Sequence, residues 1–273
     1  MASRQRIAVG ARVLGLRETH VVALGVYLIA VLAWLSMIGR WLPMPGTTPD
    51  GMATSMSMEM TAPGVPEAMA KTAGPTGWSL YLGMWSVMMI AMMYPSTVPL
   101  LRLYHGTLAG HARHQRLLRV GAFLTGYTLL WAAVGVVPLV VTYALPIGRV
   151  AGSDLLLGGT LIALGGYQLS PYKNRCLDHC RTPLGFLLTN SRPDVRGAAR
   201  MGLDHGLFCL GCCWALFAFM VVVGTMNLVW MAIITVVLSA ERTVSWGDSL
   251  ATGVGVVAAL AGTVVLVWGT SVP

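Results

Sequence analysis

Charge is scarce in this chain. Only 10% of its 273 residues are Asp, Glu, Lys or Arg, against roughly 25% in soluble globular domains. That deficit excludes an ordinary water-soluble enzyme. Signature motifs are missing too: no P-loop, dinucleotide fingerprint, catalytic triad or kinase motif occurs, which argues against an ATP-driven pump built from this chain alone. No basic run is interleaved with aromatics, so the net charge of +8 does not describe a nucleic-acid surface. No internal repeat of the inverted-transporter kind is visible. Cysteine is absent from residues 43–78, which excludes a disulfide there and leaves the thiols elsewhere free to stay reduced.

What remains is apolar. Hydrophobic residues make up 56% of the chain and the mean hydropathy is +0.71. Several runs reach about 20 residues, the length that crosses a hydrocarbon core of about 30 Å. The expected fold is therefore all-α, a polytopic transmembrane bundle forming a single integral membrane domain over residues 1–273. About seven spans are expected, near 20–41, 79–103, 119–144, 153–171, 202–224, 226–243 and 250–269. The sixth is the shortest and follows the fifth after only "TMN". The basic N-terminus precedes an apolar run with no small-x-small cleavage site, so an uncleaved first helix is expected rather than a signal peptide.

Basic residues recur in alternate loops: Arg4, Arg6, Arg12 and Arg17; then Arg113, Arg116 and Arg119; then Lys173, Arg175, Arg181, Arg192, Arg196 and Arg200. The positive-inside rule gives N-terminus inside and C-terminus outside, in a bacterial cytoplasmic (inner) membrane, with 172–201 a basic cytoplasmic loop. Residues 43–78 then form one long, flexible outer loop, rich in Pro, Gly, Ser, Thr and Ala.

Methionine and cysteine carry the candidate chemistry. Met44, Met52, Met56, Met58, Met60 and Met69 fall in the outer loop, with "MSMEM" setting Met56, Met58 and Met60 on alternate residues. Thioether sulfur selects Cu(I) over harder ions; incidental composition of a low-complexity loop is the competing reading. In the second span Met84, Met88 and Met92 recur every four residues with Met89 and Met93 beside them, a stripe along one helix face. Packing is the ordinary use of such a stripe. Pro95 and Pro99 are expected to interrupt that helix and free backbone carbonyls.

The fourth loop begins "YQLSPYKNRCLDHCRTP", gathering Cys176, His179 and Cys180 within five residues. No second Cys/His pair follows at zinc-finger spacing. In "MGLDHGLFCLGCCW", His205, Cys209 and Cys212 lie on one helix face, with Cys213 next to it. Metal ligation, thiol redox chemistry and simple packing all remain open for these thiols. Gly202, Gly206 and Gly211 permit close helix approach. Cys212 sits about 15 Å from the inner end of its span, at 1.5 Å per residue, near the depth that the methionine stripe reaches from outside. Glu241 is open to three roles: a ligand, a proton acceptor, or the partner of Arg242 in an interfacial ion pair.

Together "MWSVMMIAMMYPS", "YQLSPYKNRCLDHCRTP", "GLDHGLFCLGCCWALFAFMVVVGTMNLVWM" and "AER" resemble a family of bacterial integral membrane proteins described as predicted metal-binding, with a domain of unknown function. The resemblance covers about residues 79–245. It implies roles for Met92, Met93, Cys176, Cys180, His205, Cys209, Cys212, Cys213 and Glu241. Arg242 stands where the family pattern has lysine, a planar fork in place of a point charge.

The leading expectation is a binding protein rather than an enzyme. It takes a soft metal, copper as Cu(I), and transports it or delivers it to a membrane copper enzyme or chaperone as an accessory or assembly subunit. Zinc fits less well because thioethers are poor zinc ligands. The alternatives are a membrane thiol oxidoreductase using Cys209 and Cys212, or a structural subunit of a membrane complex.

Overall fold

The computed structural model describes residues 2–42, 63–144, 153–192 and 194–269. Met44, Met52, Met56, Met58 and Met60 lie outside them, so the expectation for the "MSMEM" run concerns residues the structure does not describe.

Every described element is a helix, as composition predicts. In chain order they are α1 (Ala2–Ile38), α2 (Val65–Thr72), α3 (Gly74–Thr107), α4 (Arg113–Val134), α5 (Val136–Ala144), α6 (Asp154–Gln168), α7 (Pro171–Arg181), α8 (Pro183–Asn190), α9 (Val195–Val223), α10 (Leu228–Thr243) and α11 (Gly247–Trp268). Side-chain caps set several of their starts. Ser170 Oγ accepts from the Lys173 amide at 3.3 Å ahead of Pro171. Asp194 Oδ1 accepts from Gly197 at 3.0 Å. Asn227 Oδ1 accepts from Val229 and Trp230 at 3.1 and 3.3 Å, turning the chain directly from α9 into α10.

Five segments are long and apolar enough to cross a membrane: Thr19–Ile38, Gly74–Thr107, Arg113–Val141, Val195–Val223 and Gly247–Trp268. The other two expected spans are α6, with 15 residues, and α10, with 16. At 1.5 Å per residue each covers only about 22–24 Å, short of a full hydrocarbon core. The outward faces are apolar: Leu24, Leu28 and Leu32 of α1 and Val257, Leu260 and Val267 of α11 are all exposed.

Part of the segment 43–78, expected as a flexible loop, is helical. Residues 65–72 form α2, with Pro66 in its first turn and Glu67 as first-turn acid, and α3 begins at Gly74. The basic loop 172–201 likewise contains α7, α8 and the start of α9.

Helix α3 runs through Pro95 and Pro99 without a break, against expectation. Pro95 lacks the N–H that would bond the Ala91 carbonyl, four residues back. That carbonyl instead accepts from Trp34 Nε1 of α1 at 3.1 Å. A neighbouring helix thus satisfies the freed group, and α3 continues.

Three close helix pairings organise the rest: α1 on α3, α4 on α9, and α6 on α11. At α4–α9 a Cβ on Gly202 would overlap the Phe123 carbonyl oxygen, and one on Gly126 the Ala199 carbonyl oxygen. Only glycine lets these backbones meet. The interior they enclose is thioether, thiol and aromatic: Met88, Met92, Met93, Cys209, Phe123, Tyr127 and Trp131 are all buried.

Candidate metal centre

Six helices, α3, α4, α6, α7, α9 and α10, bring their chemistry to one place. Helix α9 supplies Cys209, Cys212 and Cys213, all buried, and the capped start of α7 directs Cys176 and Cys180 against it. A Cβ on Gly211 would lie 2.7 Å from Cys176 Sγ, so that sulfur rests on the bare backbone of α9 beside Cys212. Cys180 Sγ lies 3.9 Å from Cys212 Sγ. This is far beyond the roughly 2.05 Å of a disulfide, and all five cysteines are free. "CLDHC" and "CLGCC", more than thirty residues apart in sequence, therefore meet in space.

Within α9, Cys212 and Cys213 donate to the Cys209 carbonyl at 3.1 and 2.8 Å. Cys209 Sγ is 2.9 Å from Tyr127 Oη, brought there by the glycine packing of α4 on α9. Tyr167 Oη donates to the Gly211 carbonyl.

From α10, Arg242 enters the sulfur cluster. Its Nη2 lies 3.3 Å from Cys212 Sγ, while Nη1 donates to Ser96 Oγ at 2.7 Å and sits 3.8 Å from Met93 Sδ of α3. A buried guanidinium thus straddles a thiol and a thioether. Glu241 does not pair with Arg242. Its carboxylate takes Lys173 Nζ at 2.8 and 2.9 Å and Gln168 Nε2 at 3.1 Å, all three residues being buried. Burial pushes the Lys173 ammonium below its usual range, and Glu241 opposes that shift. The Cys176 thiol is pushed up by burial and by Cys212.

His205 lies in an aromatic box, its ring centroid 5.9 Å from Phe123, 5.8 Å from Tyr127 and 5.2 Å from Phe186. Its Nδ1 is buried with no hydrogen-bond partner among the described residues. His179 faces elsewhere: it stacks on Phe208 at 4.4 Å and its Nδ1 meets the Arg175 carbonyl at 2.8 Å. Met88 and Met92 are fully buried along α3, N-terminal to Met93. Lys173, Gln168 and Ser96 fall within the sequence motifs but take no site role from them, and Tyr127 lies in none of them; all four belong to the site.

Among the described residues, no group of three or more His, Cys, Asp or Glu side chains forms a ready-made metal cage. The donor set is narrower and softer: the Cys180–Cys212 pair, with Cys209, Cys213 and Met93 adjacent. A metal about 2.3 Å from each paired sulfur would see them at an angle of about 116°. Such a pair, with a thioether beside it, is a soft donor set.

No curated protein and no solved structure matches the chain. A family model described as PpoB2, copper chaperone, matches residues 82–265. That interval takes in every cysteine, His205, Met88 to Met93, and the Lys173, Glu241 and Arg242 charges. With about two thirds of its length so matched, the chain belongs to the PpoB2 copper chaperone family.

Proposed function

We propose that this chain is a multi-pass protein of the bacterial cytoplasmic membrane that binds Cu(I) and hands it to a copper enzyme or a second copper carrier at that membrane. The observation that carries the reading is the Cys180–Cys212 sulfur pair, 3.9 Å apart, with Arg242 against Cys212 and Met93. Five apolar helices, lipid-like outward faces and basic alternate loops support the membrane placement.

Charge accounting favours a monovalent ion. Cu(I) bound by two thiolates carries one net negative charge, which the Arg242 guanidinium beside Cys212 neutralises. Lys173 and Glu241 already neutralise one another. A divalent ion on the same pair would leave the Arg242 charge uncompensated in a buried site, where an unpaired charge is costly. In the loaded state both sulfurs are thiolates, and the ion leaves when a partner's sulfur replaces one of them. Met93 is the adjacent thioether that can hold the ion during that exchange. The outer methionines Met56, Met58 and Met60 serve as capture ligands in this reading.

The test is metal analysis of detergent-purified protein after copper-replete growth, comparing wild type with Cys180→Ser/Cys212→Ser. Stoichiometric copper in the wild type that disappears in the variant is the expected result. Metal-free wild-type protein would refute copper binding.

A further inference from the structure

A second buried polar site lies near the N-terminal end of α3, whereas the cysteine cluster meets that helix at its middle, by Met93. Glu67 of α2 is 1% exposed. Its Oε1 accepts from Tyr81 Oη at 2.9 Å and from Thr225 Oγ1 at 2.8 Å, both donors being fully buried. Its Oε2 is buried with no hydrogen-bond partner among the described residues. Glu67 and Tyr81 precede the region that the copper chaperone family matches. In sequence, Glu67 follows the "MSMEM" run closely.

Tyr81 heads a buried face of α3. Met88 and Met92 follow it at helical spacing and Met84 flanks them, none more than 3% exposed. The methionines recur every four residues, about 6 Å apart, and Met93 lies about 18 Å from Tyr81 along the axis. The column therefore runs from Glu67 to the thioether that Arg242 touches beside Cys212.

Thioethers supply donor atoms but no charge. A monovalent cation among them has left its water and needs a counter-charge nearby. Thiols supply it at one end of the column, and Glu67 is placed to supply it at the other. A carboxylate serving only to hold Tyr81 and Thr225 has no use for its charge, because a neutral amide oxygen accepts the same two hydrogen bonds.

We propose that Glu67 is the outer acceptance site for a monovalent soft cation, its Oε2 providing the charge and Met84 and Met88 the first donor atoms on the way to the cysteines. This rests on the copper reading above.

The test uses full-length protein in sealed right-side-out membrane vesicles, with Cu(I) supplied outside as an anionic, impermeant chelate. Copper in the purified protein is followed over time for wild type, Glu67→Gln and Met88→Leu. Glu67→Gln should slow loading about tenfold, the low end of what local charge contributes to capture of an ion, while final copper per chain stays the same. Met88→Leu keeps the packing volume and should also slow loading, so the proposal stays testable if Glu67→Gln does not fold. Wild-type rates in both variants would overturn the proposal. So would a wild-type protein that carries copper after growth yet takes none from outside; neither result touches copper binding at the cysteines. Wild type without copper in both experiments overturns the two readings together.

Discussion

Two helix pairs in this molecule meet backbone to backbone through glycine, and only one of them brings its glycine-flanking residues against a cysteine. In α6–α11 the pairing is reciprocal. A Cβ on Gly158 would fall 2.9 Å from the Gly262 carbonyl oxygen, and one on Gly165 would fall 2.6 Å from that of Gly255. The mates are seven residues apart on each helix and run in opposite directions. Around them lie Ile162, Ala259 and Leu266, which only pack, and Gln168, whose amide reaches Glu241 rather than a sulfur. In α4–α9 the same device, at Gly126, Gly202 and Gly206, presses Tyr127 to Cys209 and folds Phe123 and Tyr127 around His205. Close approach is thus a general means of satisfying helices that have little polar surface to pair. It becomes chemistry only where the residues flanking the glycines carry sulfur, imidazole or phenol.

The largest effect is expected at Gly202. A methyl group there overlaps a backbone carbonyl of α4 that no rotamer change can relieve. Gly202→Ala should lose about 3 kcal/mol, the upper range for overpacking, and the folded fraction should carry less copper because Tyr127 leaves Cys209. Thermal unfolding and metal content on the same sample read both effects. Full copper retention would show that this approach does not shape the site. Gly165→Ala is the matched change in the other pair. It should cost about 1–2 kcal/mol by the same overpacking, with copper per folded chain unchanged. A loss of copper there would tie α6–α11 to the site and erase the distinction.

How much of this was legible depends on whether a relationship lies within one helix or between two. The all-α class follows from apolar run lengths, and the shared face of Cys209 and Cys212 from the 3.6-residue period, because both are local. The reach of α3 past Pro95 was not legible, since the Ala91 carbonyl is satisfied by Trp34, more than fifty residues away. Glu241 and Arg242 illustrate the same limit. As sequence neighbours they suggest an ion pair, but consecutive residues of a helix point about 100° apart. One therefore reaches Lys173 and the other the sulfurs. Lys173 does not stand out in sequence, because basic residues in that segment are also what the positive-inside rule expects of a loop. Nothing in sequence marks Tyr127 among eight tyrosines; its role follows from the glycines opposite it.

Tyr127→Phe is a gentler change, since it keeps the ring against His205 and Trp131 and deletes only the hydroxyl at Cys209. The expected loss is about 1 kcal/mol, the usual net worth of one buried hydrogen bond. Copper affinity should fall by a similar free energy if the hydroxyl helps to orient Cys209. A competition titration against a Cu(I) chelator gives that number, and an unchanged affinity would leave the hydroxyl a purely structural role.

The smallest effect is expected on the other face of α6. Gly166 adjoins Gly165 in sequence, yet a Cβ added there meets nothing within 4 Å, and the residue is exposed. If α6 needs glycine only where it faces α11, then Gly166 costs backbone entropy and returns no packing. Gly166→Ala should stabilise the protein by about 0.5–1 kcal/mol, opposite in sign to Gly165→Ala one residue earlier. The two substitutions add the same methyl group to the same helix, so any difference between their melting temperatures isolates the contact with α11. Destabilisation at Gly166 would mean that this face is covered in the membrane by a further helix or a second copy of the chain.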